Sequence, residues 1–318
     1  MNRFTLRVVW PLICTLGFVL AASARDPEPR HHHRMVFDVA RERIVLQGGN
    51  GDEVAFFSGT WEWDGESWTH HDHPSIGGRS SFAMLFDPSS TRTLLFGGVE
   101  GRALADNTTW AWDGTKWTVL AREGPGARHS PAVAYDPKRE AVVLFSGSGS
   151  DSNVWEWHEA SWRSSAPDSK WPEIRSRAQM AYDPVRETVL MFGGFADGKS
   201  FGDTWEWDGT RWSRLEVTGP PARNNHMMVT DSARQRIVLF GGKQRDPEIV
   251  YGDTWEWDGT GWKRVSDSGP EPRGMAAMTF DPSTGRVLLH GGRDRQRGAL
   301  GDLWAWDGRQ WREVLPKE

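Results

Sequence analysis

The sequence predicts an all-β fold, a six-bladed β-propeller with four antiparallel strands in each blade. Three recurring marks point to it. A residue, usually aromatic, followed by Asp recurs at Phe37-Asp38, Phe86-Asp87, Tyr135-Asp136, Tyr182-Asp183, Thr230-Asp231 and Phe280-Asp281, with the aspartates 49, 49, 47, 48 and 50 positions apart. A β-branched and leucine-rich run then ends in two small residues, as in Phe96-Gly97-Gly98 and Phe240-Gly241-Gly242, with Gly48-Gly49 in the first unit and Ser146-Gly147 in the third. Last comes Trp-x-Trp with a third Trp beyond it: Trp61, Trp63 and Trp68 in the first unit, Trp304, Trp306 and Trp311 in the sixth. These sets account for eighteen of the 20 tryptophans. A fixed period of this length marks a blade or solenoid repeat.

Each unit reads as four short strands, a to d. The apolar residues come in short runs broken by turn chemistry and show no helical period. Strand a ends on the Asp mark, and the Asp-Pro found there in most units turns the chain into strand b. Strand b ends in the small pair, strand c is the Trp-x-Trp segment, and strand d starts at the last Trp. Asp-Gly between c and d suits a tight hairpin, whose positive φ angles those residues tolerate. The frame begins with a strand a and ends with a strand d, so every blade is contiguous. Blades 1 and 6 are therefore expected to meet by face packing, without exchange of a terminal strand.

A Gly-Gly pair closing one strand, an aromatic in the next and a Trp in the last resemble the kelch family, whose units form propeller blades. The resemblance covers residues 30–315 and implies that strand a is innermost. It is far less specific for function than for fold, since such propellers host enzymes, ligand binders and interaction scaffolds.

The chain opens with a basic stretch holding Arg3 and Arg7, an apolar run from Val8 to Leu20 and Ala22-Ser23-Ala24, the layout of a cleavable export signal. The expected division is a signal peptide at 1–24 and one propeller at 25–318, with blades near 30–74, 75–124, 125–172, 173–219, 220–269 and 270–318. That implies a secreted or periplasmic protein without a membrane anchor. Cys14 is the one cysteine and lies inside the apolar run, so cleavage after Ala24 leaves a chain held by burial and not by disulfides. The formal net charge of −5 argues against nucleic acid as a partner. A monomer is expected.

In Trp-x-Trp the two indoles share one sheet face, and the residue between them faces the other way. Their presence in every blade is what packing between blades requires, and burying an indole removes about 150–250 Å² from water. Trp171 stands outside the repeat, between Lys170 and Pro172. It is read either as a ligand platform or as the cover of a hydrophobic edge.

Alternation of strand direction puts the a-b and c-d turns on one face and the b-c and d-a connections on the other. The first face is nearly uniform and reads as structural. The second varies between blades, and variable loops on a rigid frame are where binding residues collect. An arginine stands eight residues before each Asp mark: Arg30, Arg79, Arg128, Arg175, Arg223 and Arg273. These six either present a cationic collar to a carboxylate, sulfate or phosphate, or bond loop carbonyls and lock blades together. Next to them stand polar residues that differ from blade to blade, with His129, Asn224 and His226 the candidate ligand contacts. Arg102, Lys199, Lys243, Arg245, Arg293, Arg295 and Arg297 add positive charge in the b-c loops.

A histidine group in blade 1, His31, His33, His71 and His73, is the candidate metal site, and a divalent metal is the one cofactor suggested. No nucleophile-base set, phosphate loop or dinucleotide fingerprint is present. Copper chemistry of the galactose oxidase kind, using a cysteine linked to tyrosine, is excluded because the mature chain has no cysteine. The expectation is a binding or interaction module for a small acidic ligand, a glycan or a partner protein. The alternative is an enzyme acting on an anionic sugar, similar to kelch-type sialic acid epimerases, for which Glu100, Glu123, Glu173 and Glu248 are the loop carboxylates on offer.

Overall fold

The computed structural model describes residues 26–72, 76–101, 103–104, 107–149, 151–166 and 171–315. The expected export signal, with Cys14, lies outside them. Six separate four-stranded antiparallel sheets each pair in the order a-b-c-d. In blade 1 the strands are Arg34–Asp38, Arg43–Gln47, Thr60–Trp63 and Trp68–His71. The innermost strands of blades 2 to 6 are Ala83–Asp87, Ala132–Asp136, Gln179–Asp183, Met227–Asp231 and Ala277–Asp281, each ending on its Asp mark. The last strand, Trp311–Glu313, pairs inside blade 6, so no terminal strand is exchanged. No α-helix occurs among the described residues.

Blade 6 instead meets blade 1 through two closed circles of backbone hydrogen bonds. In the outer circle the second small residue of each blade donates to the carbonyl of the next blade's frame arginine: Gly49 to Arg79, Gly98 to Arg128, Gly147 to Arg175, Gly194 to Arg223, Gly242 to Arg273 and Gly292 to Arg30, at 2.8–3.0 Å. This explains the small pair. A Cβ at Gly97 would stand 2.6 Å from the Arg128 carbonyl oxygen, and φ there is +71°. Ser146, the exception, turns its hydroxyl onto the same carbonyl, that of Arg175, at 2.6 Å.

In the inner circle, the residue two places after each arginine donates to its counterpart one blade back. His32 donates to Met275, Ser81 to His32, Ser130 to Ser81, Arg177 to Ser130, Asn225 to Arg177 and Met275 to Asn225, which closes the loop. All six have φ between +51° and +62°, a conformation unusual for side-chain-bearing residues. The void within this circle is about 20 Å³, room for about one water. The propeller axis therefore narrows at this level to about the width of one water.

The indoles pack between blades and also bond across the seams. The second Trp of strand c donates to the Glu between the indoles of the preceding blade, as in Trp112 to Glu62 at 2.6 Å, Trp207 to Glu156 at 3.3 Å and Trp306 to Glu256 at 3.1 Å. The strand d Trp donates to the Thr that opens the preceding strand c: Trp117 to Thr60, Trp162 to Thr109, Trp262 to Thr204 and Trp311 to Thr254, at 2.8–3.1 Å. At the 6–1 seam Leu303 and Ala305 take those Thr and Glu positions. That seam is an apolar cluster of Met35, Phe37, Trp63, Trp68, Leu303 and Ala305.

Candidate functional site at the axial mouth of the loop face

The b-c connections are where the blades diverge. Blades 2, 4 and 5 carry short two-stranded ribbons, Val99–Glu100 with Ala103–Leu104, Phe195–Ala196 with Lys199–Ser200, and Lys243–Gln244 with Ile249–Val250. In blade 6, strands b and c lengthen to Arg286–Arg293 and Ala299–Trp306. The first residue of each b-c loop bridges the residue after the arginine: Asn50 with His31, Val99 with Ser80, Ser148 with His129, Phe195 with Ser176, Lys243 with Asn224 and Arg293 with Gly274. Position-specific side chains are thereby carried to the rim of the inner circle.

The six arginines do not form an open collar. All are buried, with Arg30, Arg128 and Arg223 0 % exposed. Nε of Arg30, Arg128, Arg175, Arg223 and Arg273 donates to the carbonyl two residues back, and Nη1 donates to the small-residue carbonyl eighteen residues on. Arg79 instead bonds the Ile76 carbonyl through Nε and Nη2. Carboxylates take further donors, among them Glu28 on Arg30 (2.7 Å) and three aspartates, Asp203 on Arg175 (2.6 Å), Asp253 on Arg223 (2.7 Å) and Asp302 on Arg273 (2.5 Å). Burial works to raise these three aspartates, but the hydrogen bonds and charge of their arginines hold them below the usual carboxylate range. Phe57, Phe201 and Tyr251 stack on Arg30, Arg175 and Arg223 at 3.9–4.1 Å. This is the geometry of a blade lock. The partner carboxylates carried a sequence signal, an Asp two residues before the first Trp of strand c in blades 4 to 6, and it was missed.

Other expected contacts also sit in the frame. His226 is buried against Phe192 with neither ring nitrogen bonded. Asn224 is buried and donates to Ser200 and to the Lys243 carbonyl. Trp171 packs edge-on to Trp207 at 5.4 Å and near Phe145, sealing the seam between blades 3 and 4. The metal candidates are not brought together. His33 is buried against His290, with a ring-nitrogen separation of 3.1 Å, while His71 lies on an outer strand beside Glu62 and Trp112. His73 and Arg102 lie outside the described residues. Among the described residues no group of three or more His, Cys, Asp or Glu side chains is placed to hold a metal. Glu100, Glu123, Glu173 and Glu248 are exposed and belong to different blades or linkers.

What the rim does gather is positive charge. Arg177 belongs to the inner circle, and Lys243 and Arg245 lie beside it on the blade 5 ribbon. Phe195 stands between two guanidinium groups, 5.5 Å from Arg177 and 5.7 Å from Arg245. None of these three cations makes an ion pair among the described residues. Burial, then the charges of Arg177, Arg245 and Arg293, pull the Lys243 ammonium down, against the opposing pull of Glu248. Burial, then Arg245, lowers Arg177, and burial, then Arg177, lowers half-buried His129. His31 completes the rim beside Arg293, which pairs with Asp52 at 2.6 Å. A cleft of about 470 Å³ lies between blade 5 and its connection to blade 6 and reaches Val250, the strand partner of Lys243, and its Arg264 and Asp267 pair with each other.

No curated protein matches the chain. The family model for the KLHDC2/KLHL20/DRC7 Kelch-repeats domain matches residues 138–317, more than half of the chain, which therefore belongs to the kelch-repeat family.

Proposed function

We propose that this protein is an exported binding module that captures an acidic ligand, a glycan carboxylate or an acidic peptide segment, at the axial mouth of the b-c and d-a loop face. The kelch propeller is in general a fold for binding and interaction. The observation that carries the specific reading is the set of unpaired cations, Arg177, Lys243 and Arg245, around Phe195. Like charges brought this close raise one another's energy, and an anion placed among them relieves it. His129 offers a neutral ring nitrogen beside the cations, and Phe195 offers a face for stacking. The six frame arginines act one layer back by fixing the loops that carry these groups.

Titration with trigalacturonate, a short acidic peptide and neutral maltotriose tests this reading. Wild-type protein is expected to bind an acidic probe saturably, and Lys243→Ala/Arg245→Ala to weaken it about tenfold, or about 1.4 kcal/mol. Equal binding of maltotriose, or an acidic probe held as tightly by the double variant, refutes it. Export rests on the layout of residues 1–24 and predicts an extracytoplasmic protein whose N-terminus is Arg25. N-terminal sequencing that finds Met1 retained refutes this part.

A further inference from the structure

A second cavity lies on the axis beyond the inner circle, toward the face whose uniform turns read as structural. Its volume is about 360 Å³, within the lower range of small-molecule sites. It runs between the innermost strands, from Arg34 and Gln179 at one end to Pro137 and Ser232 in the a-b turns at the other. Five methionines line it, Met35, Met84, Met180, Met228 and Met278, from the same strand position in blades 1, 2, 4, 5 and 6. Half-buried Tyr135 and Tyr182 flank the a-b end. Unbranched thioether chains adapt to apolar guests of varied shape.

The inner end of this cavity is polar, and one blade supplies the charge. At the position of Arg34, blades 2, 3, 5 and 6 carry Ala83, Ala132, Met227 and Ala277. Arg34 Nε donates to the Phe82 carbonyl at 3.1 Å, and the side chain makes no ion pair among the described residues. Each frame arginine, by contrast, has a carboxylate within 3.5 Å. Burial brings the Arg34 guanidinium down to about 10, so it stays charged at neutral pH. A half-buried guanidinium without a counter-ion at the end of a mostly apolar cavity is stabilised when an anion joins it. The inner circle, whose void of about 20 Å³ both Arg34 and Arg177 line, is the narrow point between this cavity and the cationic mouth.

We propose that the cavity is a second ligand site, for a small amphipathic carboxylate. Its carboxylate pairs with Arg34 beside the Gln179 amide, and its aliphatic or aryl body lies among the methionines. The paired, planar geometry of guanidinium and carboxylate selects this anion over a neutral analogue.

The test uses 4-phenylbutyrate and the neutral 4-phenylbutanol, followed by calorimetry and by NMR of methyl-labelled methionines. Phenylbutyrate is expected to saturate and to shift Met35, Met84, Met180, Met228 and Met278. Arg34→Gln is expected to weaken the carboxylate at least tenfold and leave the alcohol unchanged, whereas Val229→Trp, which fills the cavity, abolishes both. Lys243→Ala/Arg245→Ala is expected to leave this binding unaltered, so failure here and failure of the loop-face reading are separately visible. Undiminished carboxylate binding in Arg34→Gln or in Val229→Trp overturns the proposal, as does the absence of a saturable shift in wild-type protein. Should Arg34→Gln fail to fold, Val229→Trp and the wild-type preference for acid over alcohol decide the matter.

Discussion

Trp212 shows how one side chain sets the strength of a blade seam. Its siblings Trp117, Trp162, Trp262 and Trp311 each donate to a threonine of the preceding blade, but Val154 stands where that threonine would be, and the Trp212 indole N–H is buried without an acceptor. An unmet buried donor costs about 1–3 kcal/mol. Val154→Thr is expected to raise stability by about 1 kcal/mol, and Thr254→Val, which strands Trp311, to lower it by about 1–2 kcal/mol. Urea unfolding of both variants checks this; a stabilised Thr254→Val would contradict the seam bond. The tryptophans were legible as packing residues because a two-residue period and six copies give their face directly. Their acceptors were not, because pairing Thr254 with Trp311 requires knowing which blade follows which around the ring.

At the scale of elements, the seam between blades 6 and 1 stands apart. Where strands b of blades 2 to 5 end in Phe96, Phe145, Phe192 and Phe240, the matching position of blade 6 is His290, packed on Trp68 and His33. Burial first, then nearby positive charge, depresses both histidines, His290 to about 3, so both are neutral in the fold. The unfolded chain takes up those protons near pH 6.5, so the stability the neutral pair contributes is present above that pH and lost below it. Each such histidine costs about 1.4 kcal/mol per pH unit below 6.5. Buried His226, also brought to about 3, adds to the same slope. His290→Phe gives this seam the Phe-His pairing already seen between Phe192 and His226. The variant is expected to flatten the fall in melting temperature between pH 7 and 5, and an unchanged slope would contradict the assignment. Closure by contiguous blades was readable from a frame that starts on a strand a and finishes on a strand d. The two hydrogen-bonded circles that replace an exchanged strand were not legible, since the six inner-circle residues are of five types and share only a position.

For the whole molecule, six nearly equivalent blades build the frame, and departures from equivalence mark the candidate sites. Blade count and strand order were readable from three marks repeated six times. The arginine positions were readable too, but not their burial, because the carboxylates that meet Arg175, Arg223 and Arg273 lie 28, 30 and 29 residues on, across loops of unequal length. The positive loops were noticed in the sequence, whereas the convergence of Arg177 with Lys243 and Arg245 needed the ring. Frame and site are thus assigned to different arginines, and comparing Arg177→Ala with Arg223→Ala for melting temperature and for affinity toward trigalacturonate separates them. Arg177→Ala is expected to keep the wild-type melting temperature within a degree or two and lose about tenfold in affinity. Arg223→Ala strands buried Asp253, and is expected to lose about 3–5 kcal/mol of stability yet bind normally at a temperature where it remains folded. The reverse result, an unimpaired Arg177→Ala beside a stable Arg223→Ala that no longer binds, would contradict the account.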